Sequence, residues 1–230
     1  MTKETPSTPT RGVIYAATGE AYLETARRSA RSMRKHNPDL HITLFSDIVD
    51  TSGAFDQTKR LTEAHTRSKV DAICKTPYDE SLYLDCDTII RTDLTHMFAL
   101  LERFDIAIAS VVMWENKSHR KTWKTKVPDA FVEPNTGVIL YKSTGKMAQF
   151  LQDWKAAFYD FDYFNDQVTM REMLWTSAVQ YYVLPQQYNK RMFEASELIY
   201  SDQPKAKLFH LELLRPQKNP IMRWIADRVR

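Results

Sequence analysis

The segment Leu82-Tyr83-Leu84-Asp85-Cys86-Asp87-Thr88 constrains the fold more than any other. A short apolar run stops at two carboxylates two residues apart. Such a run reads as a strand buried on both faces, the kind found in parallel sheets covered by helices. The flanking chain agrees. Residues 12–17 predict a first strand. Residues 20–36 carry helical spacing, with Tyr22, Ala26, Ala30 and Met33 on one face, and Asn37-Pro38 ends that helix. A second strand is expected over 41–45, a loop over 48–60, and a helix over 63–74. The third strand, 81–84, runs into Asp85. A helix over 94–101 and a strand over 105–112 follow. This alternation predicts βαβ units and a largely parallel sheet. Beyond the basic connection 114–131, strands are expected over 137–141, 180–184 and 208–211, with helices over 146–158 and 166–174.

The length of 230 residues suits one α/β domain, here 11–216. Residues 1–10 are rich in Pro and Thr and are expected to be disordered. A net charge of +3 is too mild for a nucleic-acid binder. Two cysteines, Cys74 and Cys86, are too few for a disulfide framework or a cysteine zinc site and suit a reducing compartment. Residues 1–11 hold no apolar core of a signal peptide, and no apolar run approaches the ~20 residues of a membrane span. A cytoplasmic location is expected. Only five glycines occur, and neither GxGxxG nor GxxxxGK[ST] can be built from them.

In open α/β sheets ligands bind outside the carboxyl ends of the strands, where Asp85 and Asp87 fall. Hard carboxylate oxygens suit Mg²⁺ or Mn²⁺, which keep positions for water and substrate phosphates. An acidic pair there can also simply cap the following turn. Two enzyme classes place Asp-x-Asp after an apolar strand: haloacid-dehalogenase-like phosphatases and glycosyltransferases of the GT-A fold. Leu82 to Thr88 fits both. The phosphatases need a later Asp-Asp or Gly-Asp motif, absent after position 87, and their Asp-x-Asp comes near the start of the domain.

Further motifs appear in a set order: Thr66-Arg67-Ser68-Lys69-Val70, then 77–88 with the acidic pair, then Asn135-Thr136-Gly137-Val138, Asn165-Asp166-Gln167, Leu184-Pro185 with Tyr188-Asn189, and Phe209-His210. Over residues 12–216 the chain resembles GT-A glycosyltransferases, most closely family eight, the glycogenin-like and lipopolysaccharide galactosyltransferase-like enzymes. The resemblance implies a Rossmann-like, mostly parallel mixed sheet flanked by helices. It implies retaining transfer from a nucleoside diphosphate sugar, UDP-sugar favoured, to a carbohydrate or other hydroxyl acceptor.

The resemblance also assigns roles. Asp85, Asp87 and His210 would hold Mn²⁺ or Mg²⁺, although His210 on position alone reads as a satisfied strand-end histidine. Ala17, Thr18 and Asp47 lie at the edge that holds the nucleoside. Lys69, Cys86 and Arg215 lie near the diphosphate, and Arg67 would assist at phosphate or sugar. Asn135, Thr136 and Gly137 would line the donor sugar. Asp166 would hydrogen-bond its hydroxyls, and Gln167 would lie near the anomeric carbon. A binding protein of the same fold without catalysis is the alternative.

Lys117 to Lys126, which holds His119, Arg120, Lys121, Lys124 and Lys126 with Trp114 and Trp123 nearby, reads either as an acceptor-side loop for an anionic acceptor or as a solvated charged loop. The basic tail 217–230 has the make-up of a helix that rests on an anionic membrane face or packs on its own domain.

Overall fold

The computed structural model describes residues 10–61, 64–65, 67–111, 121–191 and 205–210. The N-terminal segment 1–9, the tail 217–230 with Arg215, and Trp114, Lys117, His119 and Arg120 lie outside the described residues. A seven-stranded sheet carries the fold. Its strands are β1 (Arg11–Ala17), β2 (His41–Ser46), β3 (Gln57–Arg60), β4 (Glu80–Leu84), β6 (Ile106–Ser110), β7 (Pro134–Lys142) and β8 (Tyr181–Val183), in the order β3-β2-β1-β4-β7-β6-β8. The first four are mutually parallel, β7 is antiparallel to both β4 and β6, and β8 is parallel to β6. A separate two-stranded sheet pairs β5 (Thr88–Ile90) with β9 (Leu208–His210).

Alternate residues divide the core in two, as a period of two requires. Val13, Tyr15, Leu82, Leu84, Val138 and Leu140 face one way. They meet Leu23, Ala26, Ala30 and Met33 of α1 (Glu20–His36). Ile14, Tyr83, Ile139 and Tyr141 face the other way. They meet α2 (Lys69–Ile73), α3 (Gly145–Phe161) and α4 (Asp166–Thr176). Among the described residues no helix is long and apolar enough to cross a membrane.

Several expectations change. The loop expected over 48–60 contains β3, a polar edge strand bearing Lys59 and Arg60, whose charge guards an open edge. The helix expected over 63–74 is described only as α2, five residues long. The helix expected over 94–101 is a 3-10 run, Thr95–Glu102. Tyr22 does not join the buried face of α1: the stripe begins at Leu23, and Tyr22 is 44% exposed. The register between β6 and β7 breaks between Ile108 and Ala109, so β7 bulges at Thr136 to Val138, beside the end of β4.

Candidate metal and donor site

The acidic pair follows β4, and the turn carrying it is tied on both sides. The Asp85 N–H donates to Gly137 O at 2.8 Å. The Thr88 hydroxyl donates to Asp85 O at 2.9 Å and lies 2.6 Å from Ser29 Oγ, which donates to Tyr15 OH. The Cys86 thiol donates to Ala16 O at 3.1 Å. Burial, and then the neighbouring Asp85 and Asp87 charges, push that thiol well up, so it stays neutral.

Pairing of β5 with β9 places Thr88 opposite His210. The imidazole therefore arrives one residue from Asp87. Its Nε2 lies 3.1 Å from Asp87 Oδ1 and 3.6 Å from Asp85 Oδ2, and one ligand atom from each residue falls within 4.8 Å of the others. Nε2 is buried and has no hydrogen-bond partner among the described residues. Two carboxylates and an unengaged ring nitrogen fit a divalent cation. Gly137 makes this approach possible, because a Cβ there would stand 2.3 Å from His210 Cε1. The glycine gives room to the imidazole.

A buried ammonium links this triad to a third carboxylate. Lys69 Nζ lies 3.3 Å from Asp85 Oδ1 and 3.6 Å from Asp166 Oδ2, and the Tyr83 hydroxyl donates to Asp85 Oδ1 at 2.7 Å. Asp166 opens α4 behind its Asn165 cap. Thr136 Oγ1 donates to Asp166 Oδ2 at 2.6 Å, and an Arg67 guanidinium nitrogen lies 3.3 Å from Oδ1. Burial alone would raise this carboxyl. The Lys69 and Arg67 charges and the Thr136 hydroxyl outweigh it and hold Asp166 below the usual carboxylate range.

In front of these groups opens a cleft of about 310 Å³, lined among others by Ala16, Thr18, Tyr22, His65, Arg67, Lys69, Tyr83, Asp85, Cys86, Asp87 and Phe164. Sequence reasoning brought Thr18, Arg67, Lys69, Cys86 and the acidic pair here. Other expected residues fall elsewhere. Ala17 is buried in the core, beside Ala16, which does line the cleft. Asp47 accepts the Gly19 N–H at 3.0 Å and so braces the turn after β1. Asn135 accepts the Gly137 N–H at 3.0 Å, Thr136 holds Asp166, and both are buried. Asp166 is itself fully buried, behind the cleft wall. Gln167 is partly exposed, with Oε1 buried and lacking a hydrogen-bond partner among the described residues.

Sequence reasoning missed Tyr22, His65, Tyr83 and Phe164. The strongest available signal was Tyr22, an aromatic one residue before a buried stripe that already closes the core.

The basic segment is anchored by α4. The Glu172 carboxylate accepts the backbone N–H groups of Trp123 (3.0 Å), Lys124 (2.8 Å) and Thr125. Arg171 donates to the carbonyls of Pro128, Phe131 and Val132.

A mixed sheet whose central strand ends in an acidic pair, closed by a late histidine strand, is the GT-A architecture. The chain belongs to the nucleotide-diphospho-sugar transferase family, whose profile matches residues 27–215. That membership decides between the two classes that Leu82 to Thr88 admits. Solved structures share the fold. The galactosyltransferase LgtC, in complex with donor and acceptor sugar analogues, is 14% identical, with a TM-score of 0.63 over 94% of this chain and 93% of its own. Mouse xyloside xylosyltransferase 1 gives 13% identity and a TM-score of 0.55, over 87% of this chain and 97% of its own. The glycosyltransferase GlyE of Streptococcus pneumoniae TIGR4 gives 21% identity and a TM-score of 0.60 over 88% of this chain, which spans 54% of GlyE. No curated protein matches the chain.

Proposed function

We propose that this protein transfers a glycosyl unit from a UDP-sugar to an acceptor hydroxyl, with Mn²⁺ bound and with retention of configuration. The convergence of His210 on Asp85 and Asp87, two carboxylates that line a polar cleft, carries the reading. The ion, when bound, supplies Lewis-acid stabilisation of the leaving diphosphate.

The chain's own groups do the rest. Arg67 and Lys69 line the cleft and add positive charge beside the diphosphate. Tyr22, at the first turn of α1, offers an aromatic face at the mouth for the nucleoside base. Gln167, on the first turn of α4 next to Asp166, is the group we assign to the developing charge at the anomeric carbon, its Oε1 being buried without a hydrogen-bond partner among the described residues. Asp166 keeps Arg67 and Lys69 in place from behind the wall. The segment held by Glu172 and Arg171 forms the acceptor side, and Lys121 and Lys124 favour an anionic acceptor. LgtC and xyloside xylosyltransferase 1 are named for sugar transfer, which supports the reaction class.

The test is release of UDP from a panel of UDP-sugars with Mn²⁺. Hydrolysis should be slow but measurable, and Asp87→Ala should lower it at least ~100-fold, in line with the several kcal/mol a Lewis acid contributes. A folded wild-type protein that neither binds nor turns over any nucleotide sugar with Mn²⁺ refutes the proposal.

A further inference from the structure

We propose that Asn189 is a positioning residue for the metal site: its side-chain oxygen selects the tautomer and sets the plane of the His210 ring, so that Nε2 meets the cation. This rests on the metal reading above. Asn189 is buried and ends the 3-10 turn Gln186–Tyr188. Its Oδ1 lies 2.8 Å from His210 Nδ1. An amide oxygen only accepts, so Nδ1 donates in this contact, and in the neutral ring that leaves the lone pair on Nε2.

The opposing tendency comes from the acidic pair. Nε2 stands 3.1 Å from Asp87 Oδ1 and 3.6 Å from Asp85 Oδ2. Without a partner at Nδ1, the neutral ring would place its proton on Nε2, facing those carboxylates. That tautomer blocks the metal-binding lone pair. The hydrogen bond from Nδ1 to Asn189 opposes the shift.

The backbone keeps both residues in register. Lys190 N donates to Leu208 O at 2.9 Å, and His210 N donates to Lys190 O at 2.9 Å. Gly137 leaves room for the ring at its Cε1 and Nδ1 edge. The Asn189 Nδ2 is buried with no hydrogen-bond partner among the described residues, a desolvation cost that an apolar side chain would avoid. The oxygen is the part of this side chain that is engaged.

Two measurements test the assignment. Free Mn²⁺ is titrated against metal-free protein by electron paramagnetic resonance. Asn189→Leu should weaken binding by about 10–100-fold, the usual effect of removing a partner of a metal-bound histidine. Asn189→Asp still presents only acceptors and should bind close to wild type. Independently, long-range ¹H–¹⁵N spectra of histidine-labelled, metal-free wild type should show a protonated Nδ1 and an unprotonated Nε2 for His210, assigned by loss of the signal in His210→Gln. Wild-type affinity in Asn189→Leu, or the opposite tautomer in wild type, overturns the proposal. If Asn189→Leu does not fold, the tautomer and Asn189→Asp decide. A wild type that binds no Mn²⁺ overturns the metal reading itself, and this inference with it.

Discussion

Two clusters of opposite charges sit at the two ends of the same sheet. At the amino end of β6, Asp105 accepts Lys146 Nζ at 2.6 Å and the Gln180 N–H at 2.9 Å, with Lys142 Nζ 3.6 Å away. Its charge is matched, and both of its oxygens are engaged. At the carboxyl end of β4, Asp85, Lys69, Asp166 and His210 are packed as closely, but a ring nitrogen is left over. His210 Nε2 is buried without a hydrogen-bond partner among the described residues and faces two carboxylates. One cluster is a staple, and the other holds binding capacity for something from outside. Buried polar atoms are nearly always satisfied, so the leftover valence separates the two.

The largest expected difference comes from Asp166→Ala. It leaves the Lys69 ammonium and the Arg67 guanidinium short of a buried partner, and should cost about 3–5 kcal/mol in urea unfolding. A loss below 1 kcal/mol would show that this end is no more demanding than the other. Gly137→Ala comes next. Its methyl group collides with the His210 ring, and overpacking of this kind costs about 1–3 kcal/mol. Mn²⁺ affinity should fall together with stability; unchanged affinity would mean the ring can move freely.

Acid titration compares the ends directly. For both carboxyls burial raises the pKa and is outweighed, by Lys69, Arg67 and Thr136 at Asp166, and by Lys146, the Gln180 N–H and Lys142 at Asp105. Both folded values are lowered. Each carboxylate therefore contributes stability that is fully present above the ordinary value of about 3.9 and lost as pH falls through the lowered one. Asp166→Asn should flatten the loss of stability below about pH 4, read by thermal melts across pH. An unchanged acid limb would remove Asp166 from the account. The smallest effect is expected for Lys146→Ala. Its half-exposed ammonium contributes at most about 1 kcal/mol, and UDP-sugar hydrolysis should not change.

The legible parts of the fold were those with a local pattern. The helix over 20–36 was readable because many residues repeat one period, and the strand ending at Leu84 because a short apolar run stops at two carboxylates. The acidic pair and His210 were named as one site, and the structure brings them together. The means by which they meet were not readable. β5 is three residues long, too short to show a period, and its partner β9 lies far along the chain. β3 was hidden because an edge strand can be polar. Asn135, Thr136 and Asp166 were expected at the donor sugar because the resemblance implies it. They are buried behind the cleft wall: Thr136 sits in the bulge of β7, beside Asn135, and donates to Asp166 at the start of α4. No local pattern in one sequence reports such a bulge.

The short sheet of β5 and β9 also sets an order of events. During synthesis the seven-stranded sheet can be completed from residues preceding β9, whereas the imidazole arrives with the last described strand. Closing so long a loop is slow but adds only a logarithmic entropy cost. The nascent protein can therefore fold its core first and bring His210 to the two carboxylates only at the final docking step.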